Sequence, residues 1–480
     1  MSAGADWDPS QGQTDTPPPR KGFARSLSYF FTTAVGQGMS FLLLPFVTRA
    51  LPSEEYGAYA LGLATASLVA VFASAWIRNV AIRLYYDAVA EGTTRGFFYG
   101  IQLLQLVMFG SLYGITLLGL WLIGIELVTW RVLISAGVAA VVSDFALFAF
   151  EVLRVERRAG AYAVGEIGGG VLRFGLTLGG IVIGIRSAEL LLDASSLGFI
   201  VATLYAMRVL GGRLKGPMRL DFSRMREVVR HGPASLPFSV ANWVERLFDR
   251  LVIEHFLGTA VVGIYSVGYT LGERTLGVVV KAVFMMAWPS ILEAWGERGI
   301  VSARTAVTAA HRLYAWFSVG PVLFMVVFGG DLLRIVAGAG YHDAAPIVPV
   351  IALSMWAEGF ARFLNRHFEL RKRFAVLSGI TVAGAGVNLL LNLVLVPVYG
   401  VMGAAWATLI NRAFNLLVFY ATRDRDLVAI PVGAYLRALG LSLALWVGTS
   451  LLPGDVLVRM LLFAVPYGLF ALYAMKRGEG

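Results

Sequence analysis

The sequence predicts an all-α integral membrane protein of about fourteen transmembrane helices, organised as two six-helix bundles followed by two further helices. Three observations carry this. Of 480 residues, 58% are hydrophobic and 15% charged, where a soluble chain has about a quarter charged. Lys and Arg are concentrated in alternate connections between apolar segments. A short residue pattern also returns at a constant offset near the middle of the chain.

In chain order, residues 1–22 are polar, contain Pro17, Pro18 and Pro19, and read as a disordered cytoplasmic tail. The basic residues Arg20, Lys21 and Arg25 lead into a full-length apolar segment rather than a short signal core, so the first span is expected to be retained. A crossing takes about 20 apolar residues. Segments of that kind fall at roughly 27–49, 57–80, 98–122, 131–152, 161–185, 188–209, 234–257, 262–290, 305–330, 344–366, 375–397, 400–420, 431–452 and 457–475.

With the N-terminus inside, every even-numbered connection is rich in Lys and Arg: Arg78, Arg83 and Arg95, then Arg154, Arg157 and Arg158, and so on to Lys476 and Arg477. The odd-numbered connections hold single residues such as Arg49, Arg131, Arg186 and Arg334. This positive-inside pattern predicts that both termini are cytoplasmic. It also accounts for most of the net charge of +10, so no nucleic-acid partner is inferred.

The longest connection, 210–233, is basic and amphipathic and is expected to face lipid headgroups as a cytoplasmic linker. It separates 23–209 from 234–420, leaving 421–480 as two additional spans and a short tail. The repeat supports that division. Leu51, Gly57, Tyr59, Leu61 and Gly62 after the first span return as Leu257, Gly263, Tyr265, Val267 and Gly268 after the seventh. Two six-helix halves related this way share one orientation in the membrane, an arrangement in which transport sites form between halves.

Several classes of chemistry are excluded. There is no cysteine, hence no disulfide or thiol chemistry; the five histidines show no metal-ligand spacing; and no G-x-x-x-x-G-K-[ST] stretch offers direct ATP drive. Neither a cofactor nor a metal is expected.

The run Thr48-Arg49-Ala50-Leu51-Pro52-Ser53-Glu54-Glu55-Tyr56-Gly57-Ala58-Tyr59 resembles the polysaccharide (O-antigen and exopolysaccharide) flippases of the multidrug/oligosaccharidyl-lipid/polysaccharide exporter superfamily. Two further blocks are similar to that family: Leu236-Pro237 through Asp249-Arg250 to Val262-Gly263-Ile264-Tyr265-Ser266, and Asn388, Asn392, Pro397, Tyr399-Gly400 and Gly403-Ala404-Ala405. The resemblance implies V-shaped helix bundles around a central cavity in a bacterial inner membrane. It further implies alternating-access transfer of a polyprenyl-diphosphate-linked oligosaccharide, with other polysaccharide assembly proteins and H+ or Na+ as candidate partners.

A charge inside the hydrocarbon is costly and normally faces protein or a wet cavity. The densest set is in the seventh span, where Glu245 and Asp249 share one helix face and Arg246 and Arg250 the adjacent one. The arginines are candidates for gripping a diphosphate and the carboxylates for ion coupling; an internal ion-pair network is the plainer alternative. Arg49, Arg78 and Arg83 at span ends are candidate cations at the mouths of the path, against simple anchoring at headgroups. Lys281 and Arg173 lie within apolar runs and are candidate path cations, Arg173 alternatively pairing with Glu166. Asp144, Glu151, Glu273, Arg274, Glu358 and Arg362 are expected to be structural pairs. Asn388 and Asn392 are expected to hydrogen-bond Asn411 and Asn415 between neighbouring spans. Gly36 and Gly38 mark a candidate hinge in the first span.

Two rivals remain open. A cation-coupled multidrug exporter of the same superfamily is disfavoured because the first span contains no Asp or Glu. An integral membrane glycosyltransferase is disfavoured by the lack of a long outer loop.

Overall fold

The structure is a computed structural model, and it describes residues 32, 35–36, 38–39, 41–212 and 214–476. The tail expected over 1–22 lies outside the described residues.

Among the described residues, ten helices are long and apolar enough to cross a membrane. One of these, Phe374–Thr422, is two spans joined at Gly400. Three more helices complete the set among the described residues: Leu44–Ala50 at the end of the first span, Ala159–Val182 as the fifth and Leu236–Leu257 as the seventh. Fourteen spans result, as the spacing of apolar segments predicts. The eighth and ninth, Thr259–Gly296 and Gly299–Val336, meet at Gly299. Gly299 and Gly400 have φ of +66° and +59°, where a Cβ would be strained, so glycine permits both breaks. Side chains such as Leu122, Ile123, Val182, Leu390 and Val398 stand exposed on the outer faces of these helices, as a lipid solvent requires.

Most hydrophobic clusters stay on one side of the linker. Trp76, Phe98, Phe148 and Phe150 belong to a cluster built from the second to sixth spans, and Tyr314, Phe363, Phe368 and Phe419 to one built from the eighth to thirteenth. The thirteenth and fourteenth helices, Val432–Ser450 and Val456–Lys476, dock on the ninth. There Tyr467 donates to the carbonyl of Trp316 at 2.7 Å and Gly320 leaves room for the Tyr467 ring. The second helix, Ser53–Ala90, contains a π turn at Val71–Ala75. This turn sets Ser74 against Asp144 of the fourth helix.

The linker is not simply laid on headgroups as its amphipathic pattern suggests. Its helix Phe222–His231 is clasped to the turn between the second and third spans by Arg224, which pairs with Glu91 at 2.5 Å and Asp221 at 2.8 Å and donates to Thr93 at 2.6 Å. Val228 is fully buried beneath it. One guanidinium satisfied by three partners fixes the segment.

One cluster does cross between the sequence halves, and it lies at one end of the molecule. Leu43, Leu44, Val47, Leu51 and Leu61 pack with Ile253, Val262, Tyr265, Tyr341 and Ile347. The repeated turns meet there. A Cβ at Gly57 would collide with the Thr259 carbonyl, and one at Gly263 with the Ser53 carbonyl. Repeat-equivalent glycines therefore bring the second and eighth helices into backbone contact. Around them Tyr341 donates to the carbonyls of Leu51 and Pro52, both at 3.0 Å, and the Gly338 amide donates to the Thr48 hydroxyl at 3.1 Å. Arg49 reaches the Ile335 carbonyl at 2.8 Å. The halves are thus sealed at the Gly57 end.

Because this seal tolerates no Cβ, Gly57→Val is expected to part it. A Leu61→Cys reporter, fully buried in the seal, should react with a membrane-impermeant thiol reagent at least about tenfold faster in that background, the response to ~1.4 kcal/mol in the closing equilibrium. Equal reaction rates would show that the seal is not held by glycine contact.

Candidate functional site

Behind the seal, between the halves, is a cavity of about 420 Å³. The fifth helix contributes Glu166 and Arg173; the seventh Asn242, Glu245 and Arg246; the eighth Tyr269, Glu273, Arg274 and Lys281; the tenth, Ile347–Leu364, Glu358 and Arg362; the twelfth Arg412. Six cations and four carboxylates thus face one space. Charges at this depth are tolerated only with partners or water, and the pattern of partners defines the site.

The anchor is Glu245, which is 5% exposed. It receives Arg412 at 2.7 Å and the side-chain amides of Asn411 and Asn415 at 3.2 and 2.9 Å. Gly384 on the neighbouring helix makes space for Asn415. Arg412 also reaches Glu358 at 3.3 Å, and Glu358 accepts from Arg362 at 2.7 Å. The chain Glu245–Arg412–Glu358–Arg362 thereby joins the seventh, twelfth and tenth helices. Arg246, largely exposed to the cavity, makes a longer pair with Glu273 at 3.5 Å. Lys281 is exposed and makes no hydrogen bond or ion pair among the described residues. A second space of about 300 Å³ shares Glu245, Glu358, Arg362 and Arg412 and extends between the seventh, tenth, eleventh and twelfth helices.

Of the candidates named from sequence, Arg246, Lys281, Arg173, Glu245 and Gly36 line the central cavity. Asp249 and Arg250 do not. Asp249 accepts from Arg250 at 2.9 Å and from the Tyr265 hydroxyl at 2.6 Å, and the Arg250 guanidinium lies 4.8 Å from the centroid of the Tyr269 ring. The pair is buried and ties the seventh helix to the eighth. Although Glu245 and Asp249 share a helix face, they turn to different neighbours because one helical turn separates them along the axis.

Arg78 belongs to another network, pairing with Asp144 at 3.2 Å and Glu151 at 3.4 Å. Arg83 is exposed on the second helix. Arg49 lies in the Gly57-end seal. Gly38 has open space beside it, and both Gly36 and Gly38 are helical.

Arg412 was not singled out by the sequence reading, although an arginine inside an apolar run and flanked by Asn411 and Asn415 is itself a signal. Glu358, Arg362, Glu273 and Arg274, read there as structural pairs, all face the cavity. The asparagines also differ from expectation. Asn392 donates to Asn388 within its own helix at 2.9 Å, while Asn411 and Asn415 turn to Glu245. A carboxylate outcompetes an amide as acceptor.

Comparison with known proteins agrees with this architecture. Residues 24–295 match the family model described as polysaccharide biosynthesis protein. Over 406 residues the chain is 22% identical to the probable low-salt glycan biosynthesis flippase Agl15 of Haloferax volcanii, covering 82% of this chain and 81% of the relative. The probable flippase AglR of the same organism is 20% identical over 199 residues, 40% of this chain and 42% of AglR. Among solved structures, lipid II flippase MurJ in an inward closed conformation superposes with a TM-score of 0.72 at 13% identity, covering 94% of this chain and 99% of MurJ. An inward-facing multidrug resistance MATE family transporter of the MOP superfamily superposes at 0.56 and 14%, covering 88% and 96%.

Removing Arg412 would leave the buried Glu245 without a cation and take one of two cations from Glu358. Arg412→Ala is therefore expected to cost about 3–5 kcal/mol of stability, read as a large fall in thermal unfolding temperature in detergent. Lys281→Ala, which leaves nothing unpaired, should unfold close to the parent. Equal unfolding temperatures for all three proteins would remove Arg412 from its structural role.

Proposed function

The chain belongs to the polysaccharide biosynthesis protein family, and from that membership we propose that it is a flippase carrying a polyprenyl-diphosphate-linked oligosaccharide across the cytoplasmic membrane by alternating access. One observation carries this reading: a membrane-buried cavity with six cations and four carboxylates, lying between two halves that are sealed at one end. An anionic diphosphate needs cationic groups in its path, and arginine supplies bidentate hydrogen bonds to it. The lipid-linked intermediate, rather than the finished polymer, is the cargo.

The positive-inside pattern supports cytoplasmic termini and an outward-facing Gly57 end. The cavity is then closed to the outside, ready to load from within. Lys281 and Arg246 are the primary diphosphate contacts, because one has no ion-pair partner among the described residues and the other has a long, exposed one. Arg173 and Arg274 continue the cationic wall. Arg49, at the outer end, meets the cargo on exit, while Arg78 and Arg83 serve the inner end through the second helix.

Glu245 is the candidate coupling acid for H+ or Na+, since it faces both cavities and holds the twelfth helix through Arg412. Protonation of Glu245, or its capture of a cation, would loosen the link between the seventh and twelfth helices and leave Arg412 to Glu358 on the tenth. Asp249 and Arg250 act as a fixed strut beside it. Gly36 and Gly38 place a flexible point in the first span next to Glu166. The relatives are named as flippases and transporters, which supports transport rather than bond-making chemistry. The excess of cations over carboxylates disfavours a drug exporter for organic cations.

The test is transfer of a fluorescent polyprenyl-diphosphate oligosaccharide in liposomes holding the purified chain, with and without a pH or Na+ gradient. Protein-dependent transfer is expected. Lys281→Ala should lower its rate about tenfold, the loss of one charge-assisted hydrogen bond. Organic-cation efflux with no transfer of the lipid would overturn the reading. Glu245→Gln is expected to remove the response to the gradient, and a persistent response would clear Glu245 of coupling.

A further inference from the structure

Above the seal, at the Gly57 end, is a separate vestibule of about 460 Å³. Its walls come from both halves: Arg49, Ser53 and Glu55 at the first connection, Arg186 at the turn between the fifth and sixth spans, and Gly338 and Tyr341 from the connection after the ninth. Two guanidiniums from different elements border it. Among the described residues, Arg49 donates to the carbonyls of Pro45 and Ile335, at 3.1 and 2.8 Å. Arg186 is exposed and makes no hydrogen bond or ion pair among the described residues. Glu55 also lines the space and accepts the Ala188 amide at 2.7 Å at the start of the sixth helix, Ala188–Gly211. The opening of the second helix at Ser53 adds the positive end of a helix dipole. With two guanidiniums against one carboxylate among the described lining residues, the space keeps a net positive character.

Its walls are also the seal. Tyr341 bonds the Leu51 and Pro52 carbonyls, and the Gly338 amide bonds Thr48. If the halves part here, the vestibule is divided. A ligand that needs both walls has a higher affinity for the sealed state and shifts the population toward it.

We propose that this vestibule is a phosphate-binding site that is whole only while the Gly57 end is closed, so that a phosphate group bound there holds this end shut. Its placement on the outer face rests on the flippase reading above. Two sources offer the same chemistry: the diphosphate of cargo already delivered to the outer leaflet, or the phosphate of an anionic bilayer lipid. In the first case accumulated product restrains further opening; in the second the surrounding leaflet sets the opening equilibrium.

The chain has no cysteine, so spin labels can be placed through Glu126→Cys, on an exposed connection of the first half, and Leu451→Cys, on the exposed connection of the two C-terminal helices that dock on the ninth helix of the second half. Pulsed electron resonance of the full chain in nanodiscs of neutral phosphatidylcholine reads the separation of the halves without any transport step. Failure of the flippase reading would leave this readout intact.

Inorganic pyrophosphate is expected to shift the distances toward the sealed population. Arg186→Gln should need about tenfold more pyrophosphate for the same shift. Arg186→Lys should recover most of the response, and Arg131→Gln, outside the vestibule, should respond as the parent does. No shift with either pyrophosphate or phosphatidylglycerol, or an undiminished shift in Arg186→Gln, would overturn the proposal. A shift produced by phosphatidylglycerol alone and removed by Arg186→Gln assigns the site to bilayer lipid. A shift that appears only with pyrophosphate, or with a polyprenyl diphosphate, assigns it to delivered cargo.

Discussion

The ion pair between Arg412 and Glu245, 2.7 Å long and almost fully buried, is the contact on which the centre of this protein depends. A guanidinium in hydrocarbon must be neutralised, and Arg412 is neutralised twice, by Glu245 on the seventh helix and Glu358 on the tenth. Each carboxylate then has capacity left for other donors, which Asn411, Asn415 and Arg362 fill. Three helices are therefore fixed by one side chain. The charged wall of the cavity follows from that fixing.

The seal at the Gly57 end rests on a different constraint, that of backbone proximity. Helices can meet this closely only where Cβ atoms are missing, and the second and eighth helices meet at Gly57 and Gly263, which are equivalent in the repeat. A pair of repeat-equivalent surfaces is self-complementary, as in a two-fold interface. The short repeat read from the sequence thus lies at the joint between the halves. Gly338 adds a third such contact outside the repeat, against the Thr48 backbone, and Tyr341 caps the joint with two hydrogen bonds.

The span count was legible because bilayer thickness fixes helix length, and loop charge checks the register of each span against the next. Most of the charged residues were legible as singular positions, since an ion in an apolar run stands out, but Arg412 within 400–420 was passed over. Their partners were not. Arg250 and Asp249 pair with each other and with Tyr265, whereas Glu245, one turn away, turns to a helix more than 150 residues further on. Helix periodicity places side chains on a face but does not say which helix that face meets. The π turn at Val71–Ala75 left no visible pattern in the sequence; it sets Ser74 against Asp144, 70 residues away. The linker was legible as basic and amphipathic, but its clasp through Arg224 needs Glu91 and Thr93, far away in sequence.

The cavity is built from shared rather than exclusive pairs, and this bears on how an anion would pass. Glu358 serves both Arg362 and Arg412, and Glu273 lies near Arg246 at the long distance of 3.5 Å. A diphosphate entering such a network need not strip an arginine of its only partner; it replaces one acceptor by another of the same charge and geometry. The released carboxylate still has neighbouring cations, so no bare ion is left in low dielectric, where its desolvation would cost several kcal/mol. Tight exclusive pairs, like Asp249 with Arg250, lack this property and hold the structure instead. Exchange among shared pairs keeps the barrier to binding and release low, which a carrier needs and a static scaffold does not.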